Sequence, residues 1–278
     1  MSLMRWVGSK RRYIRRIDAA LPERITGYYE PFVGGGSILT HVLKSGKLAD
    51  GAPVCVNDAN ASLICFYETV KISPEALINE LRGLDPSKEC YYGYRVEFND
   101  APMGIRKAAL FLYLNMVGFR GLFRTNSAGR FNAPYGSNTF DMQSRPFFSE
   151  HEIRTCSLLY NAHRVEFTAS GFGEFLQHTS DSMPQGSVVV ADPPYVSLKP
   201  ATFSGYTPDK FSHTQSKQVV KWMHSLRDAG HAVIYFNHDV AAVRAAYKGW
   251  TIERYTARRS IRPTNAGATA EEVMIYTV

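Results

Sequence analysis

Apolar residues in this chain form short runs that predict β-strands. The run at Ser187–Asp192 is apolar from Val188 to Ala191, as expected for a strand that is buried on both faces. Five further runs have the same β-rich character: Gly27–Pro31, Val54–Asp58, Arg164–Phe167, Ala232–Phe236 and Val273–Tyr276. Segments of a different pattern separate these runs.

Apolar residues at helical spacing occupy several of these segments. One predicted helix begins at Ser37, and another begins at the capping-box pattern of Ser212–Gln215 and ends at Gly230. Their apolar faces are Ile38, Leu39, Val42 and Leu43 in the first helix, and Val219, Val220, Met223 and Leu226 in the second. Strands that alternate with helices predict an α/β fold built on a mostly parallel sheet.

The middle of the chain follows another pattern. From about residue 61 to residue 148 it contains helical patterns and a loop rich in glycine and asparagine, with little continuous strand. Leu110–Asn115 predicts a buried helix. We therefore predict one α/β domain formed by residues 1–60 and 145–278, interrupted by a mainly helical domain at 61–144.

Composition excludes several classes of protein. With 278 residues, 45% of them hydrophobic and 21% charged, the chain fits a globular protein with a sizeable core. No apolar run approaches the roughly 18–20 residues of a membrane span, and no signal-peptide stretch opens the chain. The four cysteines include no Cys-x-x-Cys pair. We expect a cytoplasmic protein with no metal, no disulfide framework and no membrane attachment.

The net charge of +7 is concentrated in two basic clusters. Residues 1–16 contain six basic side chains and no acidic one, and residues 244–262 contain six basic side chains and a single glutamate. Such clusters suit a polyanion, because each neutralised phosphate releases counterions. A solvated surface is the alternative that charge alone leaves open.

A glycine-rich turn follows the first predicted strand. Phe32–Gly36 reads Phe-Val-Gly-Gly-Gly, and glycines permit positive φ and a close approach of the backbone to a ligand. Asp58 ends the next strand, where nucleotide-binding sheets place a carboxylate for ribose hydroxyls. Neither a P-loop nor a Gly-x-Gly-x-x-Gly order is present, which favours adenosine without a pyrophosphate. An ordinary turn with a helix-capping Asp58 is the alternative.

The second motif, Asp-Pro-Pro-Tyr at residues 192–195, directly follows the buried strand. A carboxylate at the carboxyl end of such a strand faces the ligand crevice of an open α/β sheet. Two prolines remove two hydrogen-bond donors and stiffen the turn, and Tyr195 offers a flat face to a planar base. The strand context favours this interpretation over an ordinary proline-rich turn with a capping Asp192.

Together the motifs resemble the alpha group of DNA adenine-N6 methyltransferases, which use S-adenosylmethionine (AdoMet). The likeness is greatest to the Dam-like DNA adenine methylases that act on GATC, and it covers nearly the whole chain. Further matching segments are Trp6–Lys10, Glu30–Gly34, Leu110–Asn115, Phe131–Gly136, Asn237–Asp239 and Arg258–Ile261. The resemblance implies a Rossmann-like methyltransferase sheet at 1–60 and 145–278, with a DNA-recognition domain at 61–144.

The resemblance also implies a catalytic group and a cofactor pocket. Asp192 and the Pro193 carbonyl would accept the hydrogens of N6 on a flipped adenine, and Tyr195 would stack on that base. The implied AdoMet-binding residues are Trp6, Lys10, Phe32, Gly34, Gly36, Asp58, Phe172 and Asp192. Among them, Asp58 would bind the ribose and Lys10 the methionine carboxylate. S-adenosylhomocysteine would be the product.

For double-stranded DNA, the resemblance implies a further set of residues. Those that fall at the family's DNA-contacting positions are Arg5, Phe119, Arg120, Leu122, Arg124, Pro134, Arg258 and Arg259. Phe119 would insert into the base stack, while Arg120 stands where Dam-like enzymes typically have asparagine. Arginine is suited to guanine and phosphate contacts, so we expect Arg258 and Arg259 to clamp phosphates.

Two alternative functions stay open at this point. Asp-Pro-Pro-Tyr also serves methyltransferases of RNA or of cytosine N4, although the Dam-like insert favours adenine in DNA. The second alternative is a DNA-binding module that keeps the fold without turnover. We expect a monomer acting in a prokaryotic cell, of chromosomal or phage origin.

Overall fold

The computed structural model describes residues 3–136, 146–195, 211–258 and 269–277. Its strands are β1 (Tyr28–Glu30), β2 (Val54–Asn57), β3 (Glu166–Thr168), β4 (Val188–Ala191), β5 (Ala232–His238), β6 (Thr251–Arg258) and β7 (Thr269–Tyr276). They form one seven-stranded sheet in the order β3-β2-β1-β4-β5-β7-β6. Strands β1 to β5 are parallel to one another, and β7 is antiparallel to both β5 and β6. The predicted α/β, methyltransferase-like sheet is confirmed.

Ten α-helices lie within the described residues. They are α1 (Ile14–Ala20), α2 (Ser37–Lys44), α3 (Ala61–Ile72), α4 (Pro74–Arg82), α5 (Lys88–Asp100), α6 (Ile105–Val117), α7 (Glu150–Ala162), α8 (Phe172–Ser180), α9 (His213–Asp228) and α10 (Ala241–Ala246). A short 3-10 turn at Lys10–Tyr13 precedes α1. None of these helices is long and apolar enough to cross a membrane.

Local sequence signals explain where several elements begin and end. At the start of α9, Ser212 Oγ accepts from the Gln215 backbone at 3.1 Å, and Gln215 Oε1 accepts from the Ser212 backbone at 2.8 Å, which completes the predicted capping box. Gly230 follows α9 with a φ of +87°. The predicted inner face is buried at Val219, Met223 and Leu226 and half-buried at Val220.

Two strands differ from the sequence-based prediction. Strand β3 begins at Glu166 instead of Arg164, because Arg164 has a φ of +50°, which is incompatible with a strand. Strand β6 reads Thr-Ile-Glu-Arg-Tyr-Thr-Ala-Arg, with charged and polar residues interspersed among apolar ones, and it is the last strand at one side of the sheet. Its pattern lacks the apolar run of a buried strand, so it was not predicted.

The sheet separates two hydrophobic clusters. Val188 and Val190 belong to one cluster, and Val189 and Ala191 belong to the other, as the alternation of side chains along β4 requires. The first cluster continues through buried residues of α3 to α7, the helices between β2 and β3, whereas the second includes α8 and α9. The helical middle of the chain therefore packs on one face of the sheet through a shared core.

Candidate active site

The carboxyl ends of the parallel strands lie along one edge of the sheet. Strand β1 pairs with β2 on one side and with β4 on the other, so the strand order reverses at β1. In open α/β sheets, ligands bind outside the carboxyl ends at such a reversal. The glycine turn follows β1, Asp58 follows β2, and Asp-Pro-Pro-Tyr follows β4. The fold thus brings the predicted motifs to one place.

Asp192 is held by two other predicted site residues. Lys10 Nζ donates to Asp192 Oδ2 at 2.6 Å and to the Gly8 carbonyl at 2.9 Å, and Lys10 is only 4% exposed. On the other oxygen, the Tyr195 hydroxyl donates to Asp192 Oδ1 at 3.2 Å. The orientation of the carboxylate is therefore fixed before any ligand binds. The resemblance implied that Lys10 binds the methionine carboxylate of AdoMet. In the structure, its ammonium group forms an ion pair with Asp192.

Tyr195 also contacts the antiparallel side of the sheet. Its hydroxyl lies 3.4 Å from Glu272 Oε2 on β7, and the Tyr255 hydroxyl on β6 donates to the same oxygen at 3.2 Å. The ring of His238, at the end of β5, packs edge-on at 4.6 Å. Burial raises the pKa of Tyr195 well above its usual value, and nearby carboxylates add to the effect.

The glycine turn leaves no room for side chains. Gly34 and Gly36 have φ values of +46° and +65°. A Cβ at Gly34 would lie 2.7 Å from Trp6 Nε1, and a Cβ at Gly36 would lie 2.7 Å from the Tyr67 hydroxyl. The same Tyr67 hydroxyl donates to the Gly34 carbonyl at 2.7 Å. Glycine is therefore required at both positions by conformation and by packing.

Asp58 joins the glycine turn to the end of β2. Its Oδ2 accepts from the Gly34 backbone at 3.1 Å, and its Oδ1 accepts from the Asn60 backbone at 2.9 Å. Burial raises the pKa of Asp58, while the two backbone donors lower it. Asp58 thus has the predicted position beside the turn. The helix-capping role of the alternative interpretation belongs instead to Asn60, whose side chain accepts from the Ser62 and Leu63 backbones at the start of α3.

Asn57 connects three strand ends and was not identified from the sequence. Its fully buried side chain donates to the Pro31 carbonyl at 3.1 Å and to the Ser170 carbonyl at 3.0 Å. Its Oδ1 accepts from the Ser170 backbone at 3.0 Å. One amide therefore fixes the loops after β1 and β3 against the end of β2. A buried amide that bonds loop backbones carries no sequence signature.

Three phenylalanine rings pack against one another beside the glycine turn. Phe32 and Phe172 have ring centres 5.2 Å apart, and Phe211 lies 6.1 Å from the first and 6.0 Å from the second. The family resemblance implied Phe32 and Phe172 as cofactor-binding residues but not Phe211. Phe211 belongs to no motif. It directly precedes the N-cap of α9, 39 residues after Phe172 in the sequence, and only the fold brings it to the other two rings.

The N-terminal segment is fixed to the helical insert by Asn115 of α6. Asn115 Oδ1 accepts from the Arg5 backbone at 3.0 Å, and its Nδ2 donates to the carbonyls of Arg5 at 2.8 Å and Gly121 at 3.1 Å. A Cβ at Gly121 would lie 2.4 Å from the Arg5 Cβ. Arg5 is thereby packed directly against the 119–121 turn, where the sequence predicted DNA contacts.

The other predicted DNA residues of the insert lie on one loop system. Phe119 donates from its backbone to the Pro134 carbonyl at 2.9 Å, so these two residues are adjacent. Arg120 has a φ of +54°, and Pro134 is exposed. Leu122 is half-buried. The fold therefore groups Phe119, Arg120, Leu122 and Pro134 beside Arg5.

Arg124 differs from its neighbours because its side chain is bonded within the loop. Its Nε donates to Asn132 Oδ1 at 2.6 Å, and its terminal nitrogen donates to the Asn132 carbonyl at 2.9 Å. Arg258 ends β6 and its backbone pairs with Thr269. Arg259, the remaining predicted phosphate contact, lies outside the described residues.

Comparison with known proteins identifies the family. Residues 6–261 match the family model described as D12 class N6 adenine-specific DNA methyltransferase. This chain belongs to that family. A DNA adenine methylase of Vibrio cholerae is 32% identical over 273 residues, which cover 96% of this chain and 91% of the relative.

Two more relatives are similar over almost the whole chain. The retron Ec67 DNA adenine methylase of Escherichia coli is 32% identical over 265 residues, covering 94% of this chain and 85% of the relative. The DNA adenine methylase of Escherichia coli strain K12 is 30% identical over 277 residues, covering 98% and 92%. The predicted resemblance to DNA adenine methylases is confirmed.

Membership of the D12 methyltransferases implies AdoMet as methyl donor, and the residues present fit such a group. The three phenylalanines offer apolar faces to a purine, and Asp58 places a carboxylate beside a turn in which any Cβ would collide. Asp192 and Tyr195 follow the neighbouring strand β4, so they lie at the same carboxyl-end side of the sheet, joined by a hydrogen bond. Within the described residues, no group of three or more His, Cys, Asp or Glu side chains is placed to hold a metal ion.

Proposed function

We propose that this chain transfers a methyl group from AdoMet to N6 of an adenine flipped out of duplex DNA at GATC. The observation that carries the proposal is the cluster of Asp192, Lys10 and Tyr195 at the carboxyl end of β4. An adenine inside a duplex cannot reach a pocket at a sheet edge, so the base must leave the stack. Relatives named DNA adenine methylase support DNA as the substrate.

Asp192 has the central role in this proposal. The N6 lone pair is conjugated into the purine ring, so the nitrogen is a weak nucleophile. Asp192 and the Pro193 carbonyl would accept hydrogen bonds from the two N6 hydrogens. These bonds would stabilise the positive charge that develops on N6 as the methyl group arrives. AdoMet supplies an already activated methyl group, so neither a covalent nucleophile nor a metal is required. Tyr195 would hold the base by stacking.

The remaining predicted residues divide between cofactor and DNA. Phe32 and Phe172, joined by Phe211, would enclose the adenine of AdoMet, and Asp58 would bind its ribose. Trp6, Gly34 and Gly36 would shape the turn beneath the cofactor. Lys10 serves Asp192 in this proposal instead of the methionine carboxylate, because its ammonium is already paired there.

The insert would recognise the DNA sequence. We assign residues 61–144 to recognition, with Arg5, Phe119, Arg120, Leu122 and Pro134 forming one contact surface. Arg124 would reach a base only after exchanging its bonds to Asn132. The bacterial relatives support activity on DNA in the cytoplasm of a prokaryotic cell, and we propose that the enzyme acts as a monomer.

A labelling assay tests the proposal. The protein is incubated with radiolabelled AdoMet and four substrates: a GATC duplex, a scrambled duplex, a GATC-free cytosine-rich duplex and GAUC-containing RNA. We expect label in N6-methyladenine of the GATC duplex alone. Label in the scrambled duplex would remove the sequence assignment, label in cytosine or RNA would favour the alternatives, and no label in any substrate would refute the enzyme assignment.

An Asp192→Ala variant tests the catalytic assignment. We expect a loss of roughly 10³-fold in the methylation rate, because one charge-stabilising acceptor is removed from the reacting nitrogen. AdoMet affinity should change by less than about threefold. The matched control is Asp181→Ala, an exposed aspartate after α8, on the opposite edge of the sheet. Full activity of Asp192→Ala would contradict the assignment.

A further inference from the structure

A glutamate on the antiparallel side of the sheet reaches the candidate active site. Glu272 lies on β7, opposite Tyr255 of β6 and His238 of β5 in the strand register. Its Oε2 accepts from the Tyr255 hydroxyl at 3.2 Å and lies 3.4 Å from the Tyr195 hydroxyl. The side chain is half-buried. None of the motifs that define the site contains this residue.

The Tyr195 hydroxyl lies between two carboxylates. It is 3.2 Å from Asp192 Oδ1 and 3.4 Å from Glu272 Oε2, and its single proton can be donated to one of them at a time. Lys10 occupies the other oxygen of Asp192. When Tyr195 donates to Asp192, both oxygens of that carboxylate already accept a hydrogen bond. An incoming amino group then shares Oδ1 with the Tyr195 hydroxyl unless that hydroxyl turns away.

We propose that Glu272 is a positioning residue that receives the Tyr195 hydrogen bond when the substrate amino group engages Asp192. The inference rests on the proposed function of the site. The exchange is a rotation of the Tyr195 O–H bond from Asp192 Oδ1 to Glu272 Oε2, and the proton stays on the tyrosine oxygen. Asp192 Oδ1 is then available to N6, while the Tyr195 ring keeps its anchor.

The surroundings of Glu272 suit this role. The Tyr255 hydroxyl fixes its carboxylate, and the Tyr255 ring packs against Tyr13 with ring centres 4.2 Å apart. The pKa of Tyr195 is raised well above its usual value by burial, which keeps its proton available for donation. Burial also raises the pKa of Glu272, whereas Lys10 and the hydroxyls of Tyr255 and Tyr195 lower it.

A double-mutant cycle with single-turnover methylation tests the proposal. Tyr195→Phe keeps the aromatic ring and removes only the hydroxyl, and Glu272→Ala removes the alternative acceptor. Both variants lose the Tyr195–Glu272 hydrogen bond that anchors the ring while N6 occupies Asp192 Oδ1. We therefore expect each to lower the single-turnover rate about tenfold, the effect of one hydrogen bond to a charged group. Because both act through the same bond, the double variant should be no slower than the slower single variant.

Conservative and neighbouring substitutions separate positioning from a merely structural role. Glu272→Gln keeps an acceptor oxygen and should recover the rate to within about threefold of the unmodified enzyme. Glu271→Ala is the matched control, because Glu271 is exposed on the same strand and bonds to Thr256. AdoMet affinity and the thermal unfolding midpoint of each variant are measured alongside.

The outcomes distinguish the inference from the proposed function. Multiplying effects in the double variant, no rescue by Glu272→Gln, or full activity of Tyr195→Phe would each overturn the inference. The Tyr195→Phe and Glu272→Gln results decide it even if Glu272→Ala does not fold.

An unmodified protein that labels no substrate would instead refute the proposed function, and in that case the cycle is not measurable by rate. Each variant would then be mixed with AdoMet and a duplex that carries 2-aminopurine at the target adenine, and the fluorescence of that base would be compared between variants. Equal fluorescence in all variants would also overturn the inference.

Discussion

Glu30 is a buried carboxyl group at the end of β1, directly before the glycine turn. It is 2% exposed and accepts from the Tyr28 hydroxyl at 2.7 Å. Burial raises the pKa of Glu30 to about 8, although the Tyr28 hydrogen bond lowers it, and Asp192 adds to the increase. The folded protein therefore binds this proton more tightly than the unfolded chain.

Glu30→Gln should change how stability depends on pH. A raised pKa means that the contribution of Glu30 to the free energy of unfolding is fully present below the unfolded pKa and is lost as the pH rises through about 8. Between pH 6 and 8, the unmodified protein should lose about 2 kcal/mol relative to Glu30→Gln. Urea unfolding at several pH values measures this difference.

The control for this prediction is Glu174→Gln, which replaces an exposed carboxylate on α8. Its unfolding free energy should follow that of the unmodified protein at every pH. Parallel stability curves for Glu30→Gln and the unmodified protein would contradict the prediction, because Glu30 would then titrate alike in the folded and unfolded states.

At the scale of elements, the β1–turn–α2 unit shapes the cofactor side of the site. Gly36 precedes Ser37 with a left-handed conformation, and its carbonyl accepts from the Thr40 backbone at 3.0 Å as the first bond of α2. Tyr67 of α3 closes the turn from the insert side through its bond to Gly34. The turn therefore depends on both the sheet and the helical insert.

Gly36→Ala should destabilise the protein by more than its backbone conformation alone explains. A left-handed alanine costs about 1–2 kcal/mol, and the new Cβ would also lie 2.7 Å from the Tyr67 hydroxyl. Gly46→Ala is the matched control, because Gly46 has a φ of +73° and its new methyl group would meet no atom of the described residues within 4 Å. We expect Gly36→Ala to lose at least about 1 kcal/mol more than Gly46→Ala, together with AdoMet affinity.

Thermal unfolding and calorimetric titration of AdoMet measure these two effects. Adding Tyr67→Phe to Gly36→Ala removes the colliding oxygen and should restore part of the stability. Equal losses in Gly36→Ala and Gly46→Ala would show that the turn relaxes away from Tyr67, contrary to the prediction.

At the scale of the whole molecule, the fold brings the two basic clusters together. The ring of Tyr13 packs on Tyr255 of β6, and its hydroxyl donates to the Thr256 carbonyl at 3.3 Å. Arg16 pairs with Glu253 of β6 at 2.8 Å. The N-terminal cluster therefore lies against the β6 part of the second cluster, and the two form one basic surface next to the site in which Lys10 pairs with Asp192.

This surface should determine the salt dependence of DNA binding. If Arg12 and Arg254 each contact a phosphate, replacing either with glutamine lowers the slope of log affinity against log salt by about 0.9. Arg227→Gln is the control, because Arg227 lies near the end of α9, before β5 begins, on the edge of the sheet opposite Asp192. Fluorescence anisotropy measures the slopes at about 50 to 200 mM salt, because counterion release changes DNA affinity strongly over this range. Unchanged slopes in Arg12→Gln and Arg254→Gln would refute this surface as the DNA contact.

The sequence by itself determined the sheet and its main motifs. Val188–Ala191 are buried at every position because a central parallel strand has no solvent face, and an apolar run reports that directly. The glycine turn and the Asp-Pro-Pro-Tyr motif could also be recognised from the sequence, because backbone conformation and carboxylate chemistry are local properties of those residues. Strand β6 was not recognised, because this last strand of the sheet is only partly buried and its sequence contains no continuous apolar run.

Only the tertiary structure decided which side chains complete the site. Lys10 and Asp192 are 182 residues apart in sequence and 2.6 Å apart in space. Asn57, Phe211 and Glu272 contact residues on other strands and loops, so these contacts depend on the strand order and register. Those are set by the packing of the whole core, which no short segment encodes. The sequence thus determined the kind of chemistry, and the fold determined the groups that orient it.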